Sequence, residues 1–124
     1  MTQWTSDQLD KVARAEELQI ASVRRDGTLG KLVTVWVVRN GDDLYARSVK
    51  GPSAHWFRGT QERREGRIRA GGVQQDVTFV DADHEITDEV DAAYRAKYSR
   101  YAGSILNSVL TPEARSTTIK LVPR

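Results

Sequence analysis

The chain has 124 residues, of which 39% are hydrophobic and 29% are charged. This length and balance fit one globular domain over residues 1–124 and exclude a disordered chain. The chain has no cysteine, so disulfides and zinc–thiolate sites are excluded. We expect a cytoplasmic protein without an export signal, and without a membrane span because the longest apolar run, 32–38, is far shorter than the ~20 residues that cross a bilayer.

Basic residues are concentrated in one part of the chain. Residues 24–69 hold eleven of the nineteen Lys and Arg but only five of the seventeen acidic residues, so this segment carries a charge of +6 and the remainder −4. Such an excess indicates an anionic partner, for example a phosphate-bearing cofactor or a nucleic acid. The alternative is a set of solvated strand faces with charged edges.

The first predicted element is a helix over about residues 6–15. Thr5 and Gln8 have the spacing of a capping box, and Trp4 and Leu9 have the spacing of a hydrophobic staple. The helix has a narrow apolar stripe, so we expect it to plug or cover a larger structure.

Two strands follow, over residues 18–25 and 32–38, and the pair Asp26-Gly27 marks the turn between them. The second strand carries apolar residues on both faces, so both faces must be covered. In a small antiparallel barrel one face fills the interior. For the other face we predict a second subunit, which makes the protein a homodimer.

The remaining elements complete a barrel. Further strands are predicted at 44–49, 66–70, 73–80 and 117–122, and helices at 53–61, from a cap at Thr87, and at 105–110. Gly71-Gly72 separates two of the strands and permits a bulge or a close backbone approach. The tyrosines at 94, 98 and 101 recur at helical spacing, which is typical of core lining. Six strands joined mostly by hairpins predict an α+β fold built on a six-stranded antiparallel barrel.

Six segments, spread over nearly the whole chain, carry a resemblance to known proteins. They are Trp36-Val37-Val38-Arg39, Leu44-Tyr45-Ala46-Arg47-Ser48, Trp56-Phe57-Arg58, Gly66-Arg67-Ile68, Ala70-Gly71-Gly72-Val73 and Asp91-Ala92-Ala93-Tyr94-Arg95-Ala96-Lys97-Tyr98. The chain resembles an uncharacterised bacterial family of the FMN-binding split-barrel superfamily, which includes pyridoxamine-phosphate-oxidase-like proteins and deazaflavin-dependent nitroreductases. The resemblance implies a six-stranded antiparallel split β-barrel with flanking helices.

The same resemblance implies a cofactor site. The functional relatives have a strand, a short phosphate-binding segment and a Pro-containing helix start with a Trp-aromatic pair, and residues 47–57 are similar. It implies that FMN or a deazaflavin coenzyme binds with its phosphate at the end of the strand that precedes this helix, and with its ring across the dimer groove. The implied phosphate ligands are Arg47, Ser48 and Lys50. We further expect Gly71 and Gly72 to allow a close backbone approach to the ring, and Trp56 to cover it.

The residues themselves leave alternatives open. A guanidinium, a hydroxyl and an ammonium at 47, 48 and 50 suit a phosphate, but two basic residues at a strand end are also ordinary. Trp36 is expected to be buried in its strand, which leaves Trp56 as the ligand candidate. His55 and His84 have no second ligand at metal spacing, so no metal site is predicted.

The predicted function is a flavin- or deazaflavin-binding split barrel, a small oxidoreductase if it is an enzyme, with no catalytic acid or base assigned. The alternative is a cofactor-free barrel that binds a small ligand or a protein. A nucleic acid is the least favoured partner. The densest basic patch, Arg63 to Arg69, is interleaved with Glu62 and Glu65 and lies in no recognised reading motif.

Overall fold

The computed structural model describes residues 3–101 and 103–124, and in these residues it has seven strands and five α-helices. The helices are α1 Ser6–Arg14, α2 His55–Arg63, α3 Thr87–Lys97, α4 Gly103–Asn107 and α5 Pro112–Arg115, with 3-10 turns at Gly51–Ser53 and His84–Ile86. The strands are β1 Leu18–Ser22, β2 Val33–Val35, β3 Val37–Asn40, β4 Asp43–Ala46, β5 Glu65–Ala70, β6 Val73–Asp81 and β7 Ile119–Pro123. None of the described helices has the length and apolar character needed to cross a membrane.

The barrel closes through a break in one strand. The sheet order is β2-β1-β5-β6-β7-β4-β3, so β2 and β3, which only Trp36 separates in sequence, lie at opposite edges. β2 pairs with β1, with Val35 opposite Leu18, and β3 pairs with β4, with Val37 opposite Ala46. The chain therefore passes from one edge to the other at Trp36, and the antiparallel sheet forms a nearly closed barrel.

The predicted α+β split barrel with flanking helices is confirmed, with one correction to the strand count. The apolar alternation over residues 32–38 predicts one strand, and six strands in all, whereas the structure divides this segment into two and has seven. Closing a sheet into a barrel requires its edge strands to be staggered and tilted. The apolar alternation of the sequence continues through Trp36 without interruption, so it gives no sign of a break. The break between β2 and β3 comes instead from the closure of the whole barrel.

Apolar side chains from six of the strands fill the barrel, and α1 closes one end of it. Leu9 and Val12 of α1 are buried among the strand residues. Trp4, just before the helix, donates its indole N–H to the carbonyl of Leu121 on β7 at 2.8 Å. The predicted capping box between Thr5 and Gln8 is confirmed, since each side chain accepts from the other residue's backbone N–H.

A second apolar cluster, which we call the outer cluster, lies between α3 and the outer face of β3 and β4. Its buried members are Val38, Tyr45, Val90, Tyr94, Tyr98 and Val109. The tyrosines at 94, 98 and 101 thus line a core, as their spacing predicts, although α3 itself ends at Lys97 and Tyr98 is its C-cap. A helix of the same chain therefore covers the outer face of β3, where the sequence favours a second subunit.

Two local predictions need correction. Thr87 does not cap α3: the 3-10 turn His84–Ile86 runs directly into the helix, so Thr87 is its first residue. Gly71-Gly72 does not form a bulge. Both residues have positive φ, at +57° and +86°, and they make the two-residue turn of a hairpin in which Ala70 pairs with Val73.

Candidate functional site

A cleft of about 850 Å³ lies beside the β1–β2 edge of the barrel. Its other walls are α2, the segment that follows β4, and part of α4 with the residues after it. It is lined by residues 17, 20–25, 30–31, 33–36, 47–50, 54–56, 58–60, 62, 105 and 108–109. We call it the basic cleft because of its charge.

Cations outnumber anions in the lining of the basic cleft. The charged lining residues are Arg24, Arg25, Lys31, Arg47, Lys50 and Arg58 against Glu17 and Glu62. Arg47 is paired inside the protein, but the salt bridges formed within residues 3–101 and 103–124 involve none of the other five cations. Cations that share a cleft without carboxylate partners favour an anionic ligand.

Arg47, a predicted phosphate ligand, has its guanidinium bonded within the protein. The side chain is fully buried and pairs with Asp91 of α3. Its Nε donates to the hydroxyl of Thr118 at 2.8 Å, and its Nη atoms donate to the carbonyls of Val109 at 2.9 Å and Thr87 at 3.1 Å. Four of its five N–H groups are therefore occupied, so the main role that the structure shows for Arg47 is to join the strand end to α3, to the residue before β7 and to the segment after α4.

Ser48 and Lys50 lie together in the lining, as the sequence predicts. Ser48 is 1% exposed, and its amide N–H donates to the hydroxyl of Thr117 at 2.8 Å. Its own Oγ has no hydrogen-bond partner among the described residues. A buried hydroxyl without a partner costs free energy until a ligand or a water molecule satisfies it. Lys50 is exposed two residues further on, so the lining of the cleft contains a hydroxyl residue and an ammonium residue that are close in sequence.

Two tryptophans line the basic cleft, where the sequence favours one. Trp56 on α2 is half-buried, and its ring meets Phe57 edge-on at a centroid separation of 6.0 Å. Trp36 is also half-buried and also lines the cleft. The expectation that Trp36 is fully buried is therefore wrong, because the strand that should have enclosed it is broken at this residue.

Gly71 and Gly72 lie apart from the other predicted site residues. They are absent from the lining of the basic cleft, and their hairpin turn packs against α1. A Cβ at Gly71 would come within 2.3 Å of the carbonyl oxygen of Lys11. The close backbone approach that the two glycines permit is thus an approach to α1.

The basic patch at Arg63 to Arg69 is largely paired. Arg64 bonds to Asp81 at 2.9 Å, and Arg67 bonds to Asp76 at 2.8 Å. Arg63 donates to the backbone carbonyl of Arg25, and Arg69 to Gln74. The patch therefore offers less free charge to a nucleic acid than its count of arginines indicates.

Four cations of the basic cleft are missing from the predicted site. Arg24, Arg25 and Lys31 come from the turn region between β1 and β2, and Arg58 comes from α2. The charge excess of residues 24–69 is the sequence signal that includes them. That excess does not show which cations converge, because convergence depends on how α2 packs against β1: Gly59 is so close to Ser22 that a Cβ at Gly59 would meet the serine Oγ at 2.3 Å.

Solved structures with the same fold extend these observations. The chain is similar to HutZ, a heme storage protein from Vibrio cholerae (TM-score 0.65, 15% identity, 93% of this chain and 86% of that one). It is also similar to an FAD-binding protein from Mesorhizobium loti (0.60, 15%, 98% and 91%) and to an F420 reductase (0.56, 15%, 93% and 90%). The chain spans half the length of another similar structure, the Agrobacterium tumefaciens protein Atu2129 (0.69, 9%, 94% and 50%). At these identities the likeness shows the fold alone.

Sequence comparison identifies the family. No curated protein sequence matches the chain. A family model described as an uncharacterized protein conserved in bacteria (DUF2255) matches residues 8–121, which is nearly the whole chain. The protein therefore belongs to the bacterial DUF2255 family, and its split-barrel fold is shared with these solved structures.

Proposed function

We propose that this protein binds a flavin-type cofactor, FMN or a deazaflavin coenzyme, in the basic cleft, with the cofactor phosphate at Ser48 and Lys50. The observation that carries the proposal is the buried Ser48 hydroxyl, which lacks a partner among the described residues in a cleft rich in unpaired cations. A hydroxyl donor beside an ammonium suits a phosphate oxygen, since hydrogen bonds to an ionised acceptor are short and strong.

The start of α2 adds to this anion site. The N–H of Gly51 donates to the carbonyl of Ser48 at 3.0 Å, and the 3-10 turn Gly51–Ser53 leads from there to the start of α2 at His55. Ala54 at the N-cap provides no side-chain hydrogen bond, and both Ala54 and His55 line the cleft. The first N–H groups of a helix have no partner within the helix and favour an anion.

The size and aromatic lining of the basic cleft suit the rest of such a cofactor. Pockets for small molecules have volumes of ~300–1,000 Å³, and the cleft has about 850 Å³. Trp36 and Trp56 offer flat apolar surfaces for a ring. The names of three proteins with this fold include heme, FAD and F420, which guides the choice of ligands to test.

We propose an oxidoreductase activity as a consequence of binding. A bound flavin or deazaflavin supplies the redox chemistry, and the residues of the chain bind it, orient it and limit the access of water. Arg47 contributes from behind the site: its bonds to Asp91 and Thr118 hold the strand end that carries Ser48.

We also propose that the protein acts as a homodimer, with the mouth of the basic cleft at the interface. Val49 and Ile105, which are 52% and 49% exposed, both lie in the cleft lining and leave an apolar surface at its edge. Sedimentation should show a dimer that Val49→Asp converts to a monomer. Val80→Asp, at an exposed valine on β6, is the matched control and should leave the dimer intact.

Titration of the purified protein with FMN, F420, FAD and hemin, followed by absorbance and fluorescence, tests the binding proposal. We expect FMN or F420 to bind, and Ser48→Ala and Lys50→Ala each to weaken binding by about tenfold or more, since a hydrogen bond to a charged group contributes ~1.5–3 kcal/mol and ~1.4 kcal/mol is tenfold. Lys11→Ala removes an exposed cation outside the lining and should leave affinity unchanged.

Two outcomes would contradict the proposal. Binding that is insensitive to Ser48→Ala and Lys50→Ala would place the phosphate elsewhere. Failure of all four ligands to bind would favour the alternative, a cofactor-free barrel that binds a small ligand or a protein.

A further inference from the structure

The indole of Trp36 forms a stack with one aromatic ring behind it. Its ring and that of Tyr98 are nearly parallel, with an interplanar angle of 6° and centroids 3.9 Å apart. Tyr98 is 1% exposed and belongs to the outer cluster, whereas Trp36 is half-buried and lines the basic cleft. The buried ring of the stack, Tyr98, therefore belongs to the outer cluster, and the partly exposed ring, Trp36, belongs to the wall of the cleft.

The second face of the indole is not covered by the third aromatic ring nearby. Tyr101 lies 5.0 Å from Trp36 at a tilt of 45° and 6.1 Å from Tyr98. The separations of 3.9, 5.0 and 6.1 Å form a triangle with nearly a right angle at Trp36, so Tyr101 lies beside the stack. Neither of the two aromatic rings that contact Trp36 in the described residues covers the indole face opposite Tyr98, and Trp36 lines the cleft.

Hydrogen bonds hold Tyr98 in place behind the indole. Its hydroxyl donates to the carbonyl of Glu16 at 2.8 Å and accepts from the backbone N–H of Val37 at 3.3 Å. The ammonium of Lys97 lies 5.2 Å from the centroid of the same ring and donates to the carbonyl of Val37 at 2.7 Å. Tyr98 is thus fixed by hydrogen bonds and in turn packs against one face of the Trp36 indole. An indole held in this way loses little conformational freedom when a ligand stacks on it, which favours binding.

We infer that Trp36, supported by Tyr98, is the platform on which the planar ring of the bound ligand stacks. This rests on the proposed function, because it concerns the same cleft and the same class of ligand. The inference assigns the ring contact to the residue at the strand break. Trp56, which the sequence favours, then has the lesser role of a side wall on α2.

The fluorescence of the bound flavin or deazaflavin shows which of the two tryptophans stacks on its ring. Direct stacking on an indole quenches flavin emission by electron transfer, whereas phenylalanine does not quench it, and visible excitation avoids the protein's own fluorescence. We expect bound FMN or F420 to be dark in the wild type and in Trp56→Phe, and several-fold brighter in Trp36→Phe. Phenylalanine keeps an aromatic ring against Tyr98, and circular dichroism confirms that both variants are folded.

Affinity gives a second readout. Trp36→Leu should weaken binding by about tenfold, because it removes the aromatic surface on which the ring stacks. A bound ligand that stays dark in Trp36→Phe and becomes bright in Trp56→Phe would overturn the inference and leave the proposed function standing. Failure of the wild type to bind any flavin or deazaflavin would overturn both.

Discussion

Two halves of one apolar segment have different surroundings. In β3, Val37 is 0% exposed inside the barrel and Val38 is 1% exposed beneath α3. In β2, Val33 and Val35 also pack against the barrel core but are only partly buried, Thr34 between them is exposed, and all three line the basic cleft. The same alternating pattern therefore has two outcomes. In β3 both faces are packed within the protein, whereas β2 packs only partly and also forms a wall of the cleft.

The difference arises from contacts made by α3. The buried pair of Arg47 and Asp91 ties the helix to the end of β4, and Lys97 ties its last turn to the carbonyl of Val37. No helix is held in this way over the outer face of β2 in the described residues. The outer face of β3 is covered by a helix of the same chain, so its burial stabilises the fold. The outer face of β2 is open and can contact a ligand or a second subunit.

The largest expected effect comes from breaking the buried pair that holds α3. Asp91→Asn leaves the guanidinium of Arg47 buried without a counter-charge, and loss of one partner of such a pair costs ~3–5 kcal/mol. Urea denaturation should show a loss of this size in the free energy of unfolding. The control is Asp88→Asn: Asp88 is 93% exposed and pairs with Arg115, so its loss should cost no more than ~1 kcal/mol. Equal costs for the two variants would mean that the buried pair does not hold the helix.

The next effect compares the two halves directly. Val38→Ala removes a fully buried side chain from the outer cluster and should cost about 2 kcal/mol, since burial of a valine contributes ~1.5–3 kcal/mol. Thr34→Ala, at the corresponding outward position of β2, should cost less than ~1 kcal/mol because only strand propensity changes. The midpoint of urea denaturation measures both. A large cost at Thr34 would show that its face is packed and not open to the cleft.

Local patterns predicted the parts of the fold that depend on neighbours in sequence. The capping box at Thr5 and Gln8 involves residues three positions apart, and the core tyrosines at 94, 98 and 101 recur every three or four residues along α3 and the turn that ends it. The strand break at Trp36 has no such local cause. It results from the requirement that β2 and β3 occupy opposite edges of one barrel, which only the complete sheet imposes.

The part of the candidate site that was predicted likewise consists of residues that are neighbours in sequence. Ser48, Lys50 and Trp56 lie in the basic cleft because they follow one another along the segment after β4 and the start of α2. Arg47 has the appearance of a free cation at a strand end, but its partner Asp91 is 44 residues away. The other cations of the cleft come from a turn region and a helix that meet only through packing, which the charge count of residues 24–69 cannot resolve.

The smallest effect concerns the pH dependence of the helix that covers β3. Partial burial lowers the pKa of the Lys97 ammonium to about 8, from 10.5 in an exposed lysine. As the pH rises from about 8 towards 10.5, the folded protein releases this proton before the unfolded chain does, so Lys97 makes the fold more stable with rising pH in this window. Because Lys97 remains partly exposed, solvent screening keeps the increase small.

Comparison of the wild type with Lys97→Met between pH 7.5 and 9.5 isolates this contribution. Burial raises the pKa of Tyr94 and of Tyr98, so these groups oppose the trend, but only above about pH 10, where tyrosines of the unfolded chain ionise. The free energy of unfolding should therefore rise more steeply with pH in the wild type than in the variant. Parallel curves would mean that the amine is as well solvated in the folded protein as in the unfolded chain, and that the end of α3 is held over β3 without burying its charge.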